Sequence, residues 1–199
     1  MDALNQWLFL LINASHQPDK IGLMAIQTLA ELPLFIIPFT LMILWFKGER
    51  SQNVALSAGI NAVLALSMSF LISLIWYHNR PFADHIGLTL LSHVSDSSFP
   101  SDHVTLMASV GFYIFFEKTY KKLGGLLLVL SLVTGWARVF SGVHYPFDIF
   151  GAYILTLPLT FLFYNYISQF LQPLIVWAIR INQKIMGLLL KNQRSTMPR

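Results

Sequence analysis

Two arginines, two histidines, a serine and an aspartate in this chain have the types and spacing needed to move a phosphoryl group. Arg80 precedes Pro81, Ser101 and His103 flank Asp102, and Arg138 is followed by His144 and Asp148. Guanidiniums offer forked donors to phosphate oxygens. Histidine, with an ordinary pKa of about 6.5, serves near neutrality as nucleophile, base or acid. Asp148 follows His144 by one helical turn, so its carboxylate can take the imidazole Nδ1–H and leave Nε2 facing a phosphorus atom. This chemistry calls for no metal and no other cofactor.

These residues need elements that bring them together. Of 199 residues, 55% are hydrophobic and 11% charged, and the mean hydropathy is +0.61. Ordinary soluble chains carry roughly 25% charged residues. The deficit makes lipid the main solvent and excludes disorder, collagen and disulfide scaffolds. Without cysteine there is no disulfide, thiolate nucleophile or Cys-ligated zinc. The net charge of +4 does not point to nucleic acid, because the basic residues fall between and after apolar segments instead of forming a stripe with aromatics.

A bilayer core about 30 Å thick takes roughly 20 apolar helical residues. Five runs approach that length: Ile21 to Phe46, Val54 to Trp76, Val104 to Phe116, Leu123 to Phe140 and Phe147 to Phe170. The expected fold class is an all-α polytopic membrane bundle of five spans, or six if residues 1–17 insert, in a single domain over 1–199. Residues 1–20 are expected as an interfacial helix, 21–171 as the bundle, and 172–199 as a basic amphipathic tail lying on the membrane. In that tail Ile175, Val176, Ile179, Ile185, Leu188 and Leu189 alternate with Arg180, Asn182, Gln183 and Lys184, and Lys191, Arg194 and Arg199 follow. Pro33 and Pro38 predict a kink in the first run, and Glu31 there either lines the interior or marks a boundary nearer the surface.

Ten of the 13 basic residues follow the first, third or fifth run, and the positive-inside bias makes that side cytoplasmic. The opposite face receives the loop Tyr77 to Pro100 and the connection from Arg138 to Asp148. It also carries His78, His85, His93, His103 and His144. Arg80 closes the second span, Ser101 opens the third, Arg138 ends the fourth, and His144 with Asp148 opens the fifth, so four helix ends can converge. Free N–H groups at a helix start then join two guanidiniums to cradle phosphate.

The segments Arg80-Pro81, Phe99-Pro100-Ser101-Asp102-His103, Ala137-Arg138 and Gly142-Val143-His144-Tyr145-Pro146-Phe147-Asp148 resemble the three-part signature of the type 2 phosphatidic acid phosphatase superfamily. The likeness is greatest to its bacterial branch acting on undecaprenyl diphosphate. The resemblance implies that His144 attacks phosphorus to form a phosphohistidine, with Asp148 orienting it. His103 would protonate the leaving oxygen and then activate water, while Arg80, Arg138 and Ser101 hold the phosphate. It implies a polyprenyl diphosphate lipid as partner, no nucleic acid, and a bacterial plasma membrane with the site facing outward. The product would be recycled as the lipid carrier of cell-wall synthesis. Oligomeric state is left open.

Three positions depart from the family pattern. Ser73 stands where Lys is usual, and His78 is a candidate to replace that phosphate contact. Asp102 replaces Gly; it is grouped with the phosphate-binding set, although a carboxylate beside phosphate repels it unless it turns to cap the helix or hold a neighbouring Arg or His. Ala137 replaces Ser and removes a hydroxyl. A diphosphate has a weakly basic leaving group that needs fewer cations, which is compatible with the absent Lys. Asp84, His85, His93 and Asp96 read as solvated loop residues, and Trp7, Trp45, Trp76, Tyr77, Trp136 and Tyr145 as interfacial anchors. Competing readings are a broader phosphatase of phosphatidate or phosphatidylglycerophosphate and, outside enzymes, a lipid transporter. Against the transporter, the polar residues gather at helix ends instead of mid-membrane.

Overall fold

Proline 33 has no N–H to give, so a helix through the first apolar run cannot continue its ladder there. In the computed structural model, which describes residues 2–195, that run is two helices, α1 (Asp2–Ile12) preceding them: α2 (Lys20–Glu31) and α3 (Pro33–Phe46), bent by 44°. Asp19 caps α2 by accepting from the Gly22 N–H at 3.0 Å. The Leu29 carbonyl, deprived of its helical donor by Pro33, accepts from Thr134 Oγ1 at 3.2 Å, and the Ala30 carbonyl accepts from Arg138 Nη1 at 3.3 Å. The kink thereby turns backbone acceptors toward a buried arginine. Glu31 is exposed at the break, near enough for its charge to act on Arg138.

There follow α4 (Glu49–Ile75), α5 (Asp102–Phe116), α6 (Lys121–Phe140), α7 (Pro146–Leu162) and α8 (Ser168–Ser195). A 3₁₀ turn, Lys118–Tyr120, leads into α6, and a π turn, Phe163–Ile167, joins α7 to α8. The described residues are helix and loop with no strand. Three helical runs are long and apolar enough to cross a membrane: Glu49–Ile75, Lys118–Phe140 and Pro146–Gly187; the bent α2–α3 pair makes up to four. The chain is a multi-pass membrane protein. The expected count of five depends on α5, whose 15 residues rise only about 22 Å at 1.5 Å each. That helix occupies the centre, packed on α4, α6 and α7. Asn61 of α4 donates from Nδ2 to Ser109 O and Thr160 Oγ1, each at 3.0 Å, tying the three layers together in the interior.

The C-terminal segment differs from the separate surface tail expected from residue 172. Pro173 lies inside α8, and the helix runs unbroken from Pro146 to Gly187. Ile175 and Ile179, one turn apart, are buried as α8 packs on α4, and Gln172 Oε1 accepts from Asn53 Nδ2 at 2.8 Å. This part of the amphipathic face is therefore occupied by the bundle. The side chains of Leu188, Leu189, Lys191 and Arg194, and the whole of Arg199, lie outside the described residues.

At the opposite end, α1 packs across α6 and α7. Its Phe9 is buried and meets Tyr145 edge-on at 5.3 Å between ring centroids, and Asn5 Oδ1 accepts from the Phe147 N–H at 3.0 Å. Just beyond α1, Asn13 clamps two segments: Nδ2 donates to Leu88 O at 2.9 Å and Phe140 O at 3.0 Å, and Oδ1 accepts from the Leu88 N–H at 2.7 Å. Unsatisfied buried groups cost about 1–3 kcal/mol each. Asn13→Ala should therefore lower stability in detergent by about 2 kcal/mol or more, read as a reduced thermal midpoint by tryptophan fluorescence; an unchanged midpoint would show that the clamp carries no load.

Candidate active site

The turn after α6 depends on Gly142. Its φ of +82° lies in the left-handed region, and a Cβ there would collide with the Leu88 carbonyl. Hydrogen bonds from Ser141, Gly142 and Val143 N–H back to Ala137, Val139 and Arg138 carbonyls tighten the chain, and His144 returns within range of the Arg138 charge. His144 is 1% exposed. Its Nδ1 lies 3.2 Å from Asp148 Oδ2, and its Nε2 lies 3.1 Å from Arg80 Nη1 and 3.3 Å from Ser101 Oγ. A guanidinium has donors only, so Nε2 accepts and the neutral ring carries its proton on Nδ1, donated to Asp148. Burial first, then the charges of Arg138 and Arg80, push His144 well below the ordinary histidine value.

Asp148 is held from several directions. Oδ2 also accepts from the Tyr145 N–H at 2.7 Å, Oδ1 lies 3.4 Å from Ser98 Oγ, and the Asp148 carbonyl accepts from the Ser101 N–H at 3.2 Å. That last bond locks the start of α5 against the first turn of α7. Ser101 occupies the N-cap position of α5, yet its hydroxyl turns to His144 and makes no capping bond. The first N–H groups of α5 are left for another acceptor.

The two arginines are engaged very differently. Arg80 donates from Nε to Asp96 Oδ1 at 2.7 Å, from Nη1 to Val143 O at 2.9 Å as well as to His144, and from Nη2 to Ser97 O at 3.3 Å. Arg138 is 1% exposed and its side chain's only hydrogen bond among the described residues is the one to Ala30; there Nε and Nη2 have no partner. A buried guanidinium with two idle donors is matched by an anion. His103 is half-buried in the first turn of α5, close enough for its charge to act on His144.

The other two residues in the expected phosphate set go elsewhere. Asp102 accepts from Ser69 Oγ of α4 at 2.8 Å, so its carboxylate is occupied by a neighbouring helix. The His78 ring lies between Trp76 and Phe99, with centroids 5.0 and 5.7 Å away, and its Nδ1 is 3.4 Å from Trp76 O. Ser73, at the position of the family Lys, donates back to Phe70 O of its own helix.

The PAP2 superfamily model matches residues 53–172. The chain belongs to the PAP2 superfamily. It is 32% identical over 164 residues to the undecaprenyl-diphosphatase BcrC of Bacillus subtilis, covering 82% of this chain and 83% of that protein. It is 33% identical over 153 residues to the putative undecaprenyl-diphosphatase YbjG of Escherichia coli, covering 76% of each. The crystal structure of Aquifex aeolicus LpxE shares the fold, with a TM-score of 0.62 at 22% identity, covering 82% of this chain and 96% of that one.

Several residues of this PAP2 site were read from the sequence as solvent-facing. The Asp96 side chain is 57% exposed yet also holds Arg80, and Asp84 accepts from Tyr145 Oη at 2.9 Å and from Asn79 Nδ2 at 2.9 Å. Tyr145 is buried and is no interfacial anchor. Their signal was weak because an irregular loop has no periodicity to reveal a facing side. Lowering of His144 means that the folded state favours the neutral ring: its contribution to stability is present above the unfolded value of about 6.5 and is lost as pH falls toward the folded one. In the ligand-free protein at pH 6, nitrogen NMR should find His144 neutral and protonated on Nδ1; an imidazolium signal would contradict this assignment.

Proposed function

We propose that this chain removes the terminal phosphate of undecaprenyl diphosphate through a phosphohistidine on His144. The observation that carries the reading is the pair of idle donors on buried Arg138 beside a neutral imidazole. The names of the BcrC and YbjG relatives supply the substrate. The Nε2 lone pair attacks the terminal phosphorus as the bond to the bridging oxygen breaks in line. Arg80 Nη1 and Ser101 Oγ exchange Nε2 for phosphate oxygens, while Arg138 Nε and Nη2 take the charge that builds there. His103, which takes up a solvent proton as the anionic head group arrives, gives that proton to the departing oxygen. Neutral His103 then accepts a proton from water, which attacks phosphorus, breaks the P–N bond and releases phosphate. Asp148 holds the Nδ1–H throughout and stabilises the positive ring of the intermediate. Because Asp102 is bound to Ser69 and His78 lies among aromatics, neither is assigned a phosphate contact in this mechanism.

An apolar groove of about 770 Å³ between α4 and α7, lined by Ile72, Phe99, Pro100, Phe147 and Ile154 among others, would seat the first part of the tail beside the head group. Positive-inside counting supports a site on the outer face of the bacterial plasma membrane, and the monophosphate would return as carrier for cell-wall precursors. With substrate labelled in its terminal phosphate, the purified full chain should release phosphate and carry acid-labile, base-stable label that disappears in His144→Ala. Arg138→Met should lower turnover on the order of 10²-fold or more, as when a transition-state donor is lost. Label persisting in His144→Ala would place the nucleophile elsewhere.

A further inference from the structure

In a diphosphate the leaving group is itself a phosphate, and the mechanism above gives only its bridging oxygen a protein partner, His103, leaving its other oxygens without one. The usual Lys is absent, Ser73 is turned onto its own helix, and His78 packs edge-on to Trp76 and tilted against Phe99. Both reacting imidazoles feel the charges of the same three further groups: Arg138, Arg80 and His93. The two guanidiniums serve the phosphate under attack. Among the described residues, His93 is therefore the one group whose charge acts on both imidazoles and that has no role.

Its setting is that of a built side chain. The ring is 22% exposed, Nδ1 lies 3.0 Å from Val94 O and 3.8 Å from Asp96 Oδ1, and Nε2 has no partner among the described residues. A carbonyl only accepts, so Nδ1 carries the proton. Asp96 also fixes Arg80 through Nε at 2.7 Å, so one carboxylate links His93 to the arginine nearest the nucleophile. The carboxylate lies on the Nδ1 side, as Asp148 does for His144, and Nε2 is left as the working atom.

Resting on the proposed diphosphatase reading, we propose that His93 is a specificity-determining residue whose Nε2 binds the second, departing phosphate of a diphosphate lipid. Burial first, and then Arg80 and Arg138, keep its ring below the ordinary histidine value in the empty site, while the bond to Val94 opposes them. An arriving phosphate dianion favours uptake of a solvent proton at Nε2, which converts an acceptor into a charged donor. A monophosphate lipid has no such group to offer, so it gains nothing from His93.

The test uses the purified full chain with farnesyl diphosphate and farnesyl monophosphate, which share a tail and differ by one phosphate. His93→Ala should lose on the order of 10-fold or more in kcat/KM on the diphosphate and less than about 2-fold on the monophosphate, collapsing the preference. His93→Gln, closer in volume, should show the same selective loss if the alanine variant folds poorly. Equal losses on both substrates, or no loss on either, would overturn the assignment. A wild-type protein that hydrolyses the monophosphate alone would overturn the diphosphatase reading and this inference with it. Wild-type preference for the diphosphate that survives in both variants would overturn this inference alone.

Discussion

A guanidinium sealed in the protein interior with two donors unmatched is the constraint around which the rest of this structure is arranged. Leaving a buried charge without partners costs several kcal/mol, and among the described residues the Arg138 side chain donates a single hydrogen bond, to the Ala30 carbonyl that the Pro33 break makes available. The fold carries this expense at the point where α6 ends, α5 begins and the Gly142 turn delivers His144. Arg80, by contrast, has all three nitrogens engaged. An oxyanion between the two arginines would satisfy Arg138 without first breaking a bond on its idle donors.

The same contacts would keep His144, the proposed nucleophile, in order before substrate arrives. His144 Nε2 is covered by Arg80 Nη1 and Ser101 Oγ, which are donors suited equally to phosphate oxygens. Exchange of those partners would cost little in hydrogen-bond number, and it would uncover the lone pair only when there is something to attack. Donors aimed at charge that develops during the reaction lower the barrier more than donors that bind substrate and transition state alike. The carboxylate of Asp148 stays fixed by Tyr145 N–H while this happens, so the ring does not need to reorient.

The helices and the central cluster were legible in the sequence because both have regular signatures. Apolar runs bounded by charge gave α4, α6 and α7, and proline at 33 gave the break between α2 and α3. Spacing of one turn placed Asp148 on His144, and the ends of apolar runs placed Arg80, Ser101 and Arg138 together. The loop from Tyr77 to Pro100 was not legible in this way. Asp96, Asp84 and Tyr145 act through contacts between residues 16 to 61 positions apart, and nothing in local pattern distinguishes them from solvated side chains. The C-terminal helix misled for a related reason: an amphipathic face can be met by lipid or by protein, and Ile175 and Ile179 are buried within the protein. Asp102 was ambiguous until Ser69, 33 positions earlier, appeared beside it.

The most direct measurement of the central claim is the structure of the full chain with vanadate, whose geometry mimics a phosphoryl group in transfer. The account predicts vanadium on His144 Nε2, with Arg138 Nε and Nη2 each donating to a vanadate oxygen at about 3 Å and Arg80 Nη1 drawn off the imidazole. Vanadate bound elsewhere, with those Arg138 donors still idle and Arg80 still on Nε2, would contradict it.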